Sequence, residues 1–263
     1  MKYVAVTGAY GGIGKAVVDI LKNNGYFVFA LDKEIENEEK NVMPIKTDLT
    51  NELSVKNAFN VINSVTDSLY AILHFAGRYV LNSLIEINES DFINTFNVNL
   101  FGAYRVNKYF LPLLKKGSKI LITTSELAPL EPLPFTGLYA ITKTALDKYA
   151  YSLRMELQLL DVQVCVLRPG AVKTPMIDVS TSDLDKFCKN STLYSCNATR
   201  FKKIVDGVEA KNVSPTKIAN KVLKIINKNK VKQVYTINRN PLLLLLNALP
   251  KSLQTKIIKI ILK

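Results

Sequence analysis

Residues 3–14 read Tyr3-Val4-Ala5-Val6-Thr7-Gly8-Ala9-Tyr10-Gly11-Gly12-Ile13-Gly14. The first four form a short apolar, β-branched run of the kind that makes a buried strand, and the glycines follow at once. Beyond them Ala16, Val17, Ile20 and Leu21 recur at helical spacing, and Asn23-Asn24-Gly25 supplies the stop. The stretch therefore predicts a strand, a glycine turn and a helix. In such a unit Gly8 permits the tight turn, Gly12 lets backbone N–H groups approach a pyrophosphate, and Gly14 lets the helix pack closely on the sheet. The spacing Gly-x-x-x-Gly-x-Gly differs from the commoner Gly-x-Gly-x-x-Gly, and an ordinary strand-to-helix turn also uses glycine.

Residues further on favour the nucleotide reading. Tyr26-Phe27-Val28-Phe29-Ala30-Leu31 predicts a second strand, and Asp32 stands at its end, where a carboxylate can hydrogen-bond an adenosine ribose 2′-OH. That favours NAD. A 2′-phosphate would be repelled by Asp32, and neither Tyr10 nor Gly11 offers it a cation, but Lys33 leaves NADP open.

The chain of 263 residues fits one α/β domain, and its 48% hydrophobic content suffices for a sizeable core. Strand-like runs at residues 71–75, 119–123, 163–167 and 233–237 alternate with helix-like segments. The pattern predicts a doubly wound, Rossmann-type parallel sheet of about seven strands with helices on both faces. Cys165, Cys188 and Cys196 form an odd set without metal-ligand spacing, and no signal peptide precedes the first strand, so a cytoplasmic setting without a metal is expected. The charge is uneven. Residues 200–263 hold 15 Lys+Arg against 2 Asp+Glu, which is the whole of the net +13. Such asymmetry points to an anionic surface or ligand. Nucleic acid is disfavoured, because the basic residues are not interleaved with aromatics and no nucleic-acid module is visible.

Tyr139-Ala140-Ile141-Thr142-Lys143 opens an apolar-periodic stretch running through Leu146, Tyr149, Ala150 and Leu153. A spacing of four puts phenol and ammonium on one helical face. A tyrosine is a poor base at neutral pH unless a cation stabilises its phenolate, and Lys143 is expected to be that cation, lowering the Tyr139 pKa. Tyr104-x-x-x-Lys108 repeats the spacing, and each tyrosine has a serine 14 residues upstream. Context separates the two. Ser125 ends a predicted strand, at the edge where parallel sheets bind ligands, whereas Ser90 reads as a helix N-cap.

Together these motifs resemble the short-chain dehydrogenase/reductase family, in its compact single-domain branch, over roughly residues 3 to 176. Thr7-Gly8-x-x-x-Gly12-x-Gly14 is similar to its cofactor turn, with Tyr10 and Ile13 among the cofactor contacts. Asp48-Leu49 resembles its adenine-contacting pair, and Phe75-Ala76-Gly77 most of its Asn-Asn-Ala-Gly motif. Asn99, Ser125, Tyr139 and Lys143 match its catalytic tetrad. Residues 168–174 resemble the segment that holds the nicotinamide, through Pro169, Gly170, Val172 and Thr174. The resemblance implies hydride transfer between nicotinamide and a carbinol or carbonyl carbon, with Tyr139 as acid/base and Ser125 holding the substrate oxygen. It further implies that Lys143 contacts the nicotinamide ribose, that Asn99 supports a water relay, and that the assembly is a homodimer or homotetramer. There are two departures. His74 stands where the family has Asn, which reads as strand-end packing, and the interval from Ser125 to Tyr139 is one residue longer than usual. Pro129, Pro132 and Pro134 lie in that interval and are expected to absorb the extra residue in a bulge.

Residues 1–240 are expected to form the dehydrogenase domain, with a substrate lid over about 176–213 that is polar from Asp178 to Thr199 and helical from Phe201 to Val213. Leu127, Leu130, Leu133, Phe135 and Met176 flank the site and favour a hydrophobic alcohol or ketone of sterol, retinoid or fatty-alcohol type. Residues 241–263 form a basic, apolar tail interrupted at Pro250, too short to cross a bilayer. In it Ser252 is expected to cap a last helix, with Lys256, Lys259 and Lys263 on one face and Leu253, Ile257, Ile260 and Ile261 opposite. Peripheral contact with an anionic membrane, an arm folded over the cleft and a subunit contact all fit this pattern. Three rival functions share these features: a non-catalytic dinucleotide-binding regulator, a membrane-peripheral scaffold, and a sugar-nucleotide epimerase or dehydratase, the last needing a larger substrate domain.

Overall fold

The computed structural model describes residues 1–209 and 211–263, with side chains at all of these except 175, 177–180, 208 and 209. Seven parallel strands form one sheet in the order β3-β2-β1-β4-β5-β6-β7: β1 (Lys2–Thr7), β2 (Tyr26–Asp32), β3 (Val42–Lys46), β4 (Leu69–His74), β5 (Leu114–Thr123), β6 (Gln163–Pro169) and β7 (Val234–Ile237). Six of them coincide with predicted runs. The seventh, β3, is an edge strand that carries Pro44, which an edge tolerates because one side of it forms no ladder.

Both faces of the sheet are covered, as its side-chain alternation demands. Val4, Val6, Ala71 and Leu73 join the core under α1 (Gly12–Lys22) and α8 (Pro215–Ile226). Ala5, Leu69 and Ile72 join the opposite core, under α2 (Glu52–Val65), α4 (Gly102–Phe110) and α5 (Gly137–Leu157). Strands buried on both sides need apolar residues at successive positions, which is why these runs read as continuous.

Between α3 (Glu89–Phe96) and α4 the helix widens into a π-turn over Asn97–Phe101. Asn88 caps α3 by accepting from the Asp91 N–H; the predicted cap, Ser90, instead donates to Asn88. The segment expected to be a polar loop is largely helical, forming α6 (Pro175–Asn190) and α7 (Ser195–Glu209). Leu184, Phe187, Ala198, Phe201 and Val205 bury one face of this hairpin against Leu81 and Phe135, a satellite core that a polar average conceals. Ala210, within the expected lid, lies outside the described residues.

The tail forms α9 (Pro241–Ala248) and α10 (Lys251–Leu262). Pro250, not Ser252, occupies the N-cap of α10. The buried residues of α10 are Gln254 and Leu262; Leu262 and the partly buried Ile258 pack on the α6–α7 core, while Leu253, Ile260 and Ile261 stay exposed. The fold thus buries a different stripe from the one the lysine spacing suggested.

Candidate active site

The direction of winding reverses between β1 and β4, and ligands of doubly wound sheets bind at the carboxyl ends of strands that part in this way. Gly8 leaves β1 with φ 66°, and a Cβ there would stand 2.6 Å from the Ala76 nitrogen at the end of β4. Only glycine fits. A Cβ on Gly14 would stand 1.9 Å from the Gly8 carbonyl oxygen, so this glycine admits the turn itself rather than the sheet. Gly12 opens α1, whose N-cap Gly11 has no side chain to close the first turn.

Beside the turn a hollow of about 390 Å³ is lined by Gly8, Tyr10, Asp32, Asp48, Leu49, Ala76 and Gly77, all expected from the sequence, and by Val98 and Met176. Asp32 is already engaged, accepting from the Tyr10 N–H at 2.9 Å and the Lys33 N–H at 2.8 Å. Lys33 reaches Asp48 at 3.3 Å, and Thr50 donates twice to the same carboxylate. Asp48 is held below the usual carboxylate range: burial opposes this, but the Thr50 hydrogen bonds and Lys33 together outweigh it.

A second cavity of about 200 Å³ lies over the ends of β5 and β6. Ile13, Gly77, Ser125, Tyr139, Lys143, Pro169, Gly170, Val172 and Thr174 all line it. Gly12, Gly14 and Asn99 line neither hollow. Leu127, Leu133 and Met176 contribute to the apolar wall, but Leu130 does not, and Phe135 turns into the α6–α7 core. Phe135 has φ 63°, a costly left-handed bend for a side-chain-bearing residue, and stacks its ring edge to face on Phe201 at 5.4 Å. With the long loop bent there, Ser125 still lines the cavity together with Tyr139, close enough to favour its ionised form.

Tyr139 and Lys143 lie in the first two turns of α5, with the ammonium 5.7 Å from the ring centre. Asp147 continues the stripe one turn on and receives a bidentate pair from Arg168, at 2.9 and 2.6 Å, plus the Thr124 hydroxyl at 3.2 Å. This clamp joins β5, β6 and α5 beneath the cavity. Lys143 is 4% exposed and donates to the Thr123 carbonyl at 3.2 Å.

Burial governs the ionisation of both groups. It pushes the Tyr139 phenol up to about 12, with the Glu126 charge adding to the rise and the Ser125 hydrogen bond opposing it. It brings Lys143 down to about 8. The expectation that Lys143 lowers the Tyr139 pKa is therefore not met within the protein's own atoms, where desolvation of the phenolate is the larger effect.

Asn99 sits in the π-turn, buried, beneath Gly77: a Cβ on Gly77 would come within 3.5 Å of the Asn99 oxygen and 3.3 Å of the Lys143 nitrogen. Its oxygen accepts from the Arg78 N–H at 2.7 Å, and its amide donates to the Arg78 carbonyl and the Thr142 hydroxyl, both at 2.9 Å. The side chain is thus committed to holding the wall, and a relay through Asn99 would have to use its main chain. His74 is packing, as the sequence suggested: 4% exposed, 2.9 Å from Asn107, with its pKa lowered to about 4 by burial.

The sequence reading missed Thr123, Tyr79, Leu243 and Glu126, all of which line the cavity. Tyr79 meets the Tyr139 ring edge to face at 4.6 Å. No local pattern marks Thr123, Tyr79 or Leu243. Glu126 gave a signal, a charged residue three positions beyond an apolar strand.

A nicotinamide dinucleotide fits these surroundings. The Gly8 cradle has no room for a Cβ, the Asp32 carboxylate faces the nucleotide-sized hollow, and the buried Thr123 hydroxyl on the cavity wall has no partner among the described residues. Among the described residues no group of His, Cys, Asp and Glu could hold a metal ion.

Comparison with known proteins agrees with this geometry. A family model described as short chain dehydrogenase matches residues 2–185. The chain is 34% identical to a 3-amino-tetrahydro-pyrrolizinone reductase of Xenorhabdus hominickii over 67% of its length and 64% of that protein's. It is 25% identical to a 3-ketodihydrosphingosine reductase of Bacteroides thetaiotaomicron over 85% of its length and 82% of that protein's. Among solved structures, an alcohol dehydrogenase of Thermococcus sibiricus, complexed with 5-hydroxy-NADP, superposes with a TM-score of 0.73 at 25% identity, covering 92% of this chain and 99% of that one.

Proposed function

The chain belongs to the short-chain dehydrogenase family, and from that premise we propose that it is an NAD-preferring alcohol dehydrogenase/carbonyl reductase for a lipophilic substrate. The observation that carries this reading is the convergence of Ser125, Tyr139 and Lys143 on one cavity at the carboxyl edge of the sheet. Gly8, Tyr10, Gly12, Gly14, Asp32, Asp48, Leu49, Ala76 and Gly77 would hold the adenosine and pyrophosphate end of the cofactor, and Ile13, Pro169, Gly170, Val172 and Thr174 the nicotinamide end. A bound nicotinamide dinucleotide supplies the hydride donor or acceptor.

The protein's own part is proton transfer and positioning. At neutral pH the Tyr139 phenol is protonated, since burial pushes it to about 12, and it stands ready to donate to a carbonyl oxygen. Lys143, an ammonium below about pH 8, stabilises the phenolate left behind. Ser125 holds the substrate oxygen beside the phenol. Asn99 acts as a positioning residue through Thr142 and Gly77. In oxidation the same groups work in reverse, with Tyr139 taking the carbinol proton. The preference for NAD rests on Asp32; Lys33, which is bound to Asp48, is the residue through which NADP would be accommodated.

Leu127, Leu133, Phe201, Ile204, Val205 and Leu243 give the cavity its apolar wall and support a sterol-, retinoid- or fatty-alcohol-like substrate. The name of the Bacteroides relative points the same way. The α6–α7 hairpin would close over that substrate as a lid. The tail has two faces: Leu243 reaches the cavity, while Leu242 and Leu245 are exposed, and the helix that follows, α10, carries Lys251, Lys256 and Lys259. This arrangement supports peripheral contact with an anionic membrane from which a lipophilic substrate would enter. Among the described residues no helix is long and apolar enough to cross a membrane. A homodimer or homotetramer is the proposed assembly.

The test is a panel of steroid, retinoid, fatty and short alcohols with NAD or NADP, followed at the reduced-nicotinamide absorbance. Turnover of at least one long-chain or polycyclic alcohol, abolished in Tyr139→Phe, is the expected result. No turnover of any alcohol with either cofactor would overturn the reading.

A further inference from the structure

Among the described residues the cavity holds one acidic side chain, and it is oddly placed. Glu126 directly follows Ser125, is 7% exposed and shares its cavity with apolar side chains that include Leu127, Leu133, Phe201 and Leu243. One oxygen, Oε2, accepts from the Asn240 N–H at 2.6 Å, which fixes the start of α9. The other, Oε1, lies over Gly170, where a Cβ would stand only 2.9 Å from it. Among the described residues nothing donates to Oε1, and no Lys or Arg approaches Glu126 within ion-pair distance. The exposed Arg239 acts on it only from farther away.

A carboxylate withdrawn from water normally has a cation or several donors against it, because desolvating an unpaired charge is costly. Tying down α9 uses one oxygen and would be served as well by a neutral amide. Glu126 lines the cavity together with Tyr139 and Gly170, and its charge acts on the phenol. A group meeting Oε1 would therefore share the cavity with the oxygen that Ser125 and Tyr139 engage.

We propose that Glu126 selects substrates that carry a protonated amine close to the reacting carbinol or carbonyl carbon, on an otherwise lipophilic body. This rests on the oxidoreductase reading and narrows its substrate class to amino alcohols and amino ketones. The ammonium donates to Oε1 while Ser125 and Tyr139 engage the neighbouring oxygen. The apolar wall takes the hydrocarbon remainder.

The test compares three alcohols with the full-length enzyme: a long-chain vicinal amino alcohol, its N-acetyl derivative, and the plain secondary alcohol of equal chain length. The expected kcat/KM for the amino alcohol exceeds that of the other two by about 10- to 100-fold, the scale of a charge-assisted hydrogen bond in a desolvated site. Glu126→Gln keeps an oxygen for the Asn240 N–H but loses the charge, and it should bring that ratio down to about one. A wild-type enzyme that handles the plain and N-acetyl compounds as well as the amine overturns the proposal, as does a Glu126→Gln variant that leaves the ratio unchanged. The oxidoreductase reading survives either result. Failure to turn over any of the three, with either cofactor, would instead sink that reading and this inference with it.

Discussion

Replacing Lys143 by Met removes the one cation that, among the described residues, stands beside the Tyr139 ring inside the cavity, while keeping a side chain of similar reach. The ammonium lies 5.7 Å from the ring centre. Two unit charges at that separation, in an effective dielectric of ~20, interact by about 3 kcal/mol. That is roughly two pKa units on the phenol, or about a hundredfold in a rate that depends on forming its phenolate. Lys143→Met should therefore lower kcat/KM for carbonyl reduction about a hundredfold, with the fold intact because the lost group is a buried charge rather than a packing group. The pH profile gives a second readout. Burial lowers the Lys143 pKa to about 8, so its ammonium is present below that pH and lost above it. Since kcat/KM reports the free enzyme, the wild-type reductive profile should be level through neutrality and fall above about pH 8, and the variant should lack that break. A Lys143→Met enzyme within about threefold of wild type, or a wild-type profile without a break near pH 8, would refute the assignment of Lys143 as the phenolate-stabilising cation.

His74, the only histidine in the chain, is neutral in the fold because burial lowers its pKa to about 4. The unfolded chain binds that proton near the ordinary pKa of ~6.5, so stability present above pH ~6.5 should be lost toward pH ~4, at about 1.4 kcal/mol per unit and about 3 kcal/mol in all. Urea unfolding of His74→Asn should show a correspondingly flatter acid dependence, and an imidazole resonance titrating near 6.5 in the folded protein would contradict the argument. For the tail, full-length protein should co-sediment with phosphatidylserine vesicles in a salt-sensitive manner and much less with phosphatidylcholine, and the double variant Leu242→Glu, Leu245→Glu should stay in the supernatant. Equal binding to both vesicle types, or none to either, would remove the membrane contact from the proposed function.

The site was legible in the sequence wherever its parts are near neighbours along the chain. The glycines at 8, 12 and 14 stand in a strand-to-helix turn, Asp32 ends the next strand, and the spacing from Tyr139 to Lys143 is one turn of α5. The helical content of residues 175–190 was not legible, because the apolar positions that bury α6 are few and their partners come from α7, α10 and Phe135. Strand β3 escaped for a related reason: an edge strand with Pro44 needs only its pairing with β2 to exist.

Periodicity and turn chemistry act over a few residues, so the sequence alone determined the alternation of strands and helices, the parallel sheet and the Tyr139–Lys143 face. Tertiary structure decided what those residues experience. Desolvation, set by everything packed around a group, carries Tyr139 to about 12 and Lys143 to about 8, against the effect that spacing alone suggested. Likewise Glu126 became a cavity residue only when residues 170 and 240 were folded against it, bringing Gly170 under one oxygen and the Asn240 N–H onto the other. Contacts between residues more than forty positions apart leave no periodic trace in a sequence, and they fix the charge and the wall of this site.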